Sequence, residues 1–189
     1  MNLLATLTIA ATLAAPVLAM AAPAPVWTVD KTVSKLGFNS SFSGDAFSGA
    51  FRRWDAAIRF DPKNLAGSSV TATIEAGSAA TGDKDRDQAL PGPEFFAAAK
   101  FPRASFTAAN FKELGGGHYQ AVGQLTIRGV AKPLTLPFTL AITGKQARMT
   151  AAVAVNRLAF GVGQGEWQAT SVIPAAINVT VDLTARRAP

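Results

Sequence analysis

Strict alternation of apolar and polar residues constrains this chain more than any other feature. Leu134, Leu136, Phe138, Leu140 and Ile142 alternate with Thr135, Pro137, Thr139, Ala141 and Thr143. After Gly144, Met149, Ala151, Val153 and Val155 fall on one face, with Arg148, Thr150 and Asn156 on the other. A third run sets Ile177, Val179, Val181 and Leu183 against Asn178, Thr180, Asp182 and Thr184. A period of two is the pattern of a strand with one face buried and one in water. Shorter runs repeat it at Leu36-Phe38, Val70-Ala72-Ile74, Ala104-Phe106-Ala108 and Tyr119-Ala121-Gly123-Leu125.

Phe47, Gly49 and Phe51 are odd-numbered whereas Trp54, Ala56, Ile58 and Phe60 are even. A bulge or corner is therefore expected at Arg52-Arg53. Turn chemistry separates the runs at Asp61-Pro62, Gly67, Gly115 to Gly117, Arg128-Gly129 and Gly144. One interval breaks the rhythm. Pro93 and Glu94 open a segment through Phe95 and Ala99 to Lys100, stopped by Pro102, which predicts a short helix over residues 93–102. About eight strands, one short helix and no alternation of strand and helix predict an all-β, antiparallel sandwich or barrel. The inner face mixes bulky residues with small ones at 72, 104, 108, 121, 123 and 151. Such residues either fit the taper of a filled barrel or leave room for a ligand.

The chain has 189 residues, a one-domain length. Residues 1–21 carry no charged side chain and end in Ala19-Met20-Ala21, ahead of Pro23 and Pro25. They read as a secretory signal peptide, with residues 22–189 as the single domain. The net charge of +6 is scattered, with basic pairs only at Arg52-Arg53 and Arg186-Arg187. That excludes a nucleic-acid platform and fits weak, transient attraction to anionic membrane surfaces. Having no cysteine, the chain has no thiol chemistry, and His118, its only histidine, follows three glycines. Neither a catalytic residue nor a metal site is expected. Asp83, Asp85 and Asp87 lack the glycine and distal glutamate of a calcium loop and read as a solvated loop, with Arg86 and Asp87 pinning the segment that follows. Glu166 beside Trp167 is the one pairing that resembles a carbohydrate site.

The order of short motifs carries a resemblance. Trp27-Thr-Val-Asp30, Gly49-Ala-Phe51 and Ile58-Arg-Phe-Asp-Pro62 come first, followed by Thr81-Gly82 with Arg86-Asp87 and Glu94-Phe-Phe96 with Phe101-Pro102. Gly123-Gln-Leu-Thr-Ile-Arg-Gly129 with Lys132-Pro133, and Phe160-Gly-Val-Gly-Gln-Gly-Glu-Trp167, complete the series. Together they resemble the YceI-like, polyisoprenoid-binding family across about residues 26–186. The resemblance implies a lipocalin-like eight-stranded barrel in the bacterial periplasm, holding a long isoprenoid or comparable lipid and no other cofactor. Two positions depart from it. The histidine often found before the Gly-x-Phe motif is missing from Ser40 to Asp45, and Ala159 stands where an acidic residue often precedes Phe-Gly.

A lipid tail needs a dry apolar wall, which stabilises it by about 0.8 kcal/mol per buried methylene. The residues expected to form that wall are Phe38, Phe51, Ile58, Ala72, Ile74, Phe95, Phe96, Phe106, Leu125, Leu134, Leu136, Phe138, Ala151, Val153, Phe160 and Trp167. The expected function is sequestration or transport of a polyisoprenoid, isoprenoid-quinone-like or long acyl molecule without catalysis. Two other readings stay open: a barrel enzyme acting on a lipid or sugar through Glu166, and a stress-response interaction module with a filled core. The 93–102 segment reads equally well as a lid over one barrel end or as a plug.

Overall fold

The structure, a computed structural model, describes residues 24–189, so the expected signal peptide lies outside the described residues. The strands are β1 (Val26–Val29), β2 (Lys35–Phe42), β3 (Asp45–Phe51), β4 (Trp54–Arg59), β5 (Ser69–Glu75) and β6 (Ala79–Ala80). After the helix α1 (Lys84–Ala89) come β7 (Arg103–Gly115), β8 (His118–Ile127), β9 (Val130–Thr143), β10 (Gln146–Asn156) and β11 (Ala176–Arg187).

Every pairing is antiparallel, and the ladder β1-β4-β5-β7-β8-β9-β10-β11 closes on itself through β1 and β11. This is an eight-stranded barrel. Three further strands extend its staves rather than adding to the ring. β2 continues β1 along β11, pairing Lys35 to Asn39 where β1 has paired Trp27 to Val29. β3 and β4 likewise form one broken stave, and the break is the Arg52-Arg53 corner that the change of phase requires. β6 continues β5 beyond residues 76–78 and pairs with β3 at Ala79 and Ala80.

The β8–β9 turn has Arg128 at φ 51° and Gly129 at φ 73°, the two left-handed residues that a tight primed hairpin turn needs. β7 carries a bulge where its register shifts between Ala108 and Asn110. Opposite it, a Cβ on Gly123 would lie 2.1 Å from the Thr107 carbonyl oxygen. Gly123 is therefore small because a backbone passes over it, not because it leaves space for a ligand.

The helix is not where the sequence pattern puts it. Residues 93–102 form a chain of turns, and the helix spans Lys84–Ala89 instead. Asp83 caps it by accepting from Arg86 N–H at 3.0 Å. Asp87 reaches back, accepting from Thr81 N–H at 2.6 Å, Thr81 Oγ1 at 2.8 Å and Gly82 N–H at 3.2 Å. The charged cluster thus fixes the turn before it rather than the segment after it, and Arg86 lies 4.8 Å from the centre of the Phe47 ring.

Candidate functional site

The inward faces of the staves do not meet. They enclose a cavity of about 270 Å³ whose surface is hydrocarbon almost throughout. Phe38, Phe51, Ile58, Ala72, Ile74, Phe96, Phe106, Leu125, Leu134, Leu136, Phe138 and Val153 line it. The alternation that makes each strand half-buried is what delivers one side chain in two to this space.

Packed side chains stand at both ends. At one end Phe60 meets Phe111, Tyr119 and Phe138 edge-on, with ring centres 5.3, 5.5 and 6.0 Å away. Trp27 backs this cluster and donates its indole N–H to the Phe60 carbonyl at 2.9 Å. Burial pushes the Tyr119 hydroxyl above its ordinary pKa.

At the other end two loops form a cap, residues 91–102 and residues 157–175. Phe96 drops from the first into the cavity and meets Phe51 edge-on at 5.7 Å. The second is organised by Arg157, which is 4% exposed. Its guanidinium donates to the carbonyls of Val162 (2.9 Å), Gly163 (3.3 Å), Ile173 (2.8 Å) and Pro174 (3.0 Å). Desolvation lowers its pKa from the usual arginine value. Arg128 fastens the first loop by donating to the carbonyls of Pro93, at 2.8 Å, and Phe95.

Four residues expected in the wall do not line the cavity. Phe95 packs on Trp167, 5.6 Å between ring centres, and against the buried Val155, Phe160 and Val162 cluster, and Trp167 also meets Phe42 at 6.3 Å. Phe160 is buried with Val155 and Val162 under the cap. Ala151, between Phe138 and Val181 in the ladder, packs into the wall itself. Conversely, Trp27, Leu36, Trp54, Phe60, Phe111, Val155, Val162 and Ile177 line the cavity without having been singled out. Alternation contained the signal for most of them; Val162 sits on a loop, where no periodicity applies.

The polar candidates lie apart from this space. His118 is exposed on the outside of β8, with Nδ1 3.4 Å from Thr139 Oγ1. Glu166 is exposed, and the Trp167 indole N–H donates instead to Glu94 Oε2 at 2.7 Å. Among the described residues no three His, Cys, Asp or Glu side chains converge as a metal site would require.

Comparison with known proteins agrees with this architecture. BcnA of Burkholderia cenocepacia is 32% identical, and its structure superposes with a TM-score of 0.80 over 83% of this chain and 99% of that one. A polyisoprenoid binding domain from Saccharophagus degradans shares the fold at 15% identity, with a TM-score of 0.70 over 87% of this chain and 99% of its own. UPF0312 proteins of Yersinia pestis and Yersinia enterocolitica are 41% identical over 88 residues, 47% of this chain. That match spans only 45% of the length of these curated relatives. The YceI-like domain matches residues 27–185, and the chain belongs to that family.

Proposed function

We propose that the protein is an exported, periplasmic carrier that holds one long apolar molecule inside its barrel without reacting with it. The ligand classes that suit the cavity are a polyisoprenoid, an isoprenoid-quinone-like molecule or a long acyl chain. The observation that carries this reading is the hydrocarbon-surfaced cavity of about 270 Å³. At about 24 cal/mol per Å³, leaving such a space unfilled costs roughly 6 kcal/mol relative to a packed core. That is comparable with the whole stability of a small domain, about 5–15 kcal/mol. An apolar ligand recovers the loss, and a core evolved only for stability would have filled the space with larger side chains.

Family membership and the Saccharophagus degradans polyisoprenoid binding domain support the choice of ligand class. The net charge of +6 suits weak attraction to the anionic membrane surfaces where such lipids reside. The cavity weighs against a filled-core interaction module. No observation favours Glu166 as a catalytic acid, because it is exposed and is not among the residues that line the cavity.

Mass spectrometry of an organic extract of protein purified from periplasm tests the proposal. One long-chain lipid per protein is the expected result. Repeated extracts without lipid, together with failure to take up any long-chain probe, would remove it.

A further inference from the structure

Strands β9 and β10 pair from Thr143 opposite Gln146 to Phe138 opposite Ala151, and then part. Beyond that point residues 130–137 pair only with β8, and residues 152–156 only with β11.

The backbone explains the parting. Leu140 N–H donates to the Gly117 carbonyl at 2.8 Å, so the even-numbered residues of β9 turn their polar groups toward β8. The odd-numbered residues turn theirs toward β10, as the alternation of an antiparallel ladder requires. Pro133 and Pro137 are both odd. Continuing the register would set Pro137 opposite Ala152 and Pro133 opposite Asn156, and neither proline has an N–H to donate. Two prolines on one edge of one strand hold this seam of the barrel unzipped.

Leu134, Leu136, Val153 and Val155, on the inner faces of the parted stretches, all line the cavity. The rims are Pro133, Thr135 and Pro137 on one side and Ala152, Ala154 and Asn156 on the other, all exposed and uncharged. Beyond Pro137 and Ala152, no ladder pairing joins one rim to the other.

The barrel has another unpaired stretch of wall, between the β1–β2 turn and the start of β4, but it is spanned. Lys31 lies 4.4 Å from the centre of the Trp54 ring, donates to the Trp54 carbonyl and pairs with Asp55 at 3.0 Å. Packed groups stand at both barrel ends: the aromatic cluster around Phe60 at one, the Arg157-anchored loop at the other.

We infer that the β9–β10 cleft is the portal through which a slender apolar chain passes between the cavity and its surroundings. The inference rests on reading the cavity as a ligand site. Small uncharged rims let a hydrocarbon slide past without desolvating a charge, whereas opening either end would break the aromatic cluster or the Arg157 bonds. The prolines then have a functional reason to interrupt a strand that otherwise favours pairing.

The absence of cysteine makes a direct test simple. Ala154→Cys places a single thiol on the rim, and Thr71→Cys places one on the exposed outer face of β5. Each is coupled to a maleimide-polyethylene glycol, and uptake of a dansyl-labelled farnesol from phosphatidylcholine vesicles is followed by fluorescence. The rim adduct should slow uptake by about tenfold relative to the Thr71 adduct, equivalent to raising the barrier by about 1.4 kcal/mol. Equal rates in the two adducts and in uncoupled protein would overturn the portal while leaving the carrier reading intact. If the unmodified protein takes up no probe, the carrier reading fails and the portal fails with it.

Discussion

The indole N–H of Trp167 and the Glu94 carboxylate, joined at 2.7 Å, tie the two loops of the cap to each other. The Glu94 carbonyl adds two bonds, accepting from the Gly163 and Gln164 N–H groups at 2.8 Å each. Adjacent phenylalanines follow from this anchor and pack differently: Phe95 lies against Trp167 and the buried cluster under the cap, and Phe96 enters the cavity.

The two rings should therefore respond differently to truncation. Phe95→Ala loosens the joint between the loops and should lower stability with little change in the size of ligand held. Phe96→Ala removes a ring that already borders empty space, so its cost should fall below the 3–5 kcal/mol or so of truncating a fully packed phenylalanine. It should also shift the bound lipid toward longer chains. Urea melts and mass spectrometry of extracts from both variants check this; identical lipid profiles in the two would contradict the assignment of Phe96 to the cavity.

Asp87 provides a pH prediction. Its hydrogen bonds from the Thr81 N–H and hydroxyl, and then from Gly82, hold its carboxyl below the ordinary 3.8. A folded-state pKa lower than the unfolded one contributes stability above the unfolded value, and this is lost as pH falls through the folded value. Asp87→Asn should be less stable than the parent at pH 7, and the two denaturation curves should converge as the pH falls below the ordinary 3.8 and the carboxyl protonates. A gap between the curves that stays constant from pH 7 to pH 2.5 would show that the charge contributes nothing.

What the sequence disclosed depended on whether a local rule governed the position. Leu134 to Ile142 and Ile177 to Leu183 announced strands because one face of each meets the interior without exception. The same rule placed Ile74, Leu125 and Val153 on the cavity wall. It could not tell Ala72, which borders the space, from Ala151, which packs between Phe138 and Val181, because both simply face inward. The helix was misplaced because Pro93 and Glu94 carry the local signals of a start, while the tertiary partners lie elsewhere. Arg128 takes the Pro93 and Phe95 carbonyls, and Ala97 adopts a left-handed φ of 47°, so no helix can run through them. The true helix is six residues, polar on every side, and shows no amphipathic period to read. Pro133 and Pro137 were visible throughout, but their meaning depends on which neighbour each backbone group faces, and only the ladder supplies that.

Arg157 carries a prediction about the cap. Arg157→Ala would leave four carbonyls without their donor, and each orphaned buried acceptor costs about 1–3 kcal/mol. Water can reach some of them, so a loss of about 3 kcal/mol or more is expected. Arg157→Lys has fewer donors and no planar fork, and should recover only part of it. Denaturant titration of the three proteins decides; a lysine variant as stable as the parent would mean that the four bonds do not act together.

The cavity itself is tested by filling it. Ala72 pairs with Ala56 and Phe106 and borders open space, so the ring of Ala72→Phe has somewhere to go. It should expel the lipid while stability changes little, because new apolar contact offsets the strain. Ala151 sits in the ladder between Phe138 and Val181 and, unlike them, is not itself among the residues that line the cavity. Ala151→Phe should therefore cost about 1–3 kcal/mol, the usual range for overpacking a filled site, and leave the lipid in place in the folded fraction. The contrast separates a ligand cavity from a loosely packed core, since a core that merely tolerates volume would treat the two alanines alike. Urea melts paired with lipid content per mole of protein provide the reading. Equal losses of stability in both variants, with lipid retained in Ala72→Phe, would mean that the space beside Ala72 is not where the ligand lies.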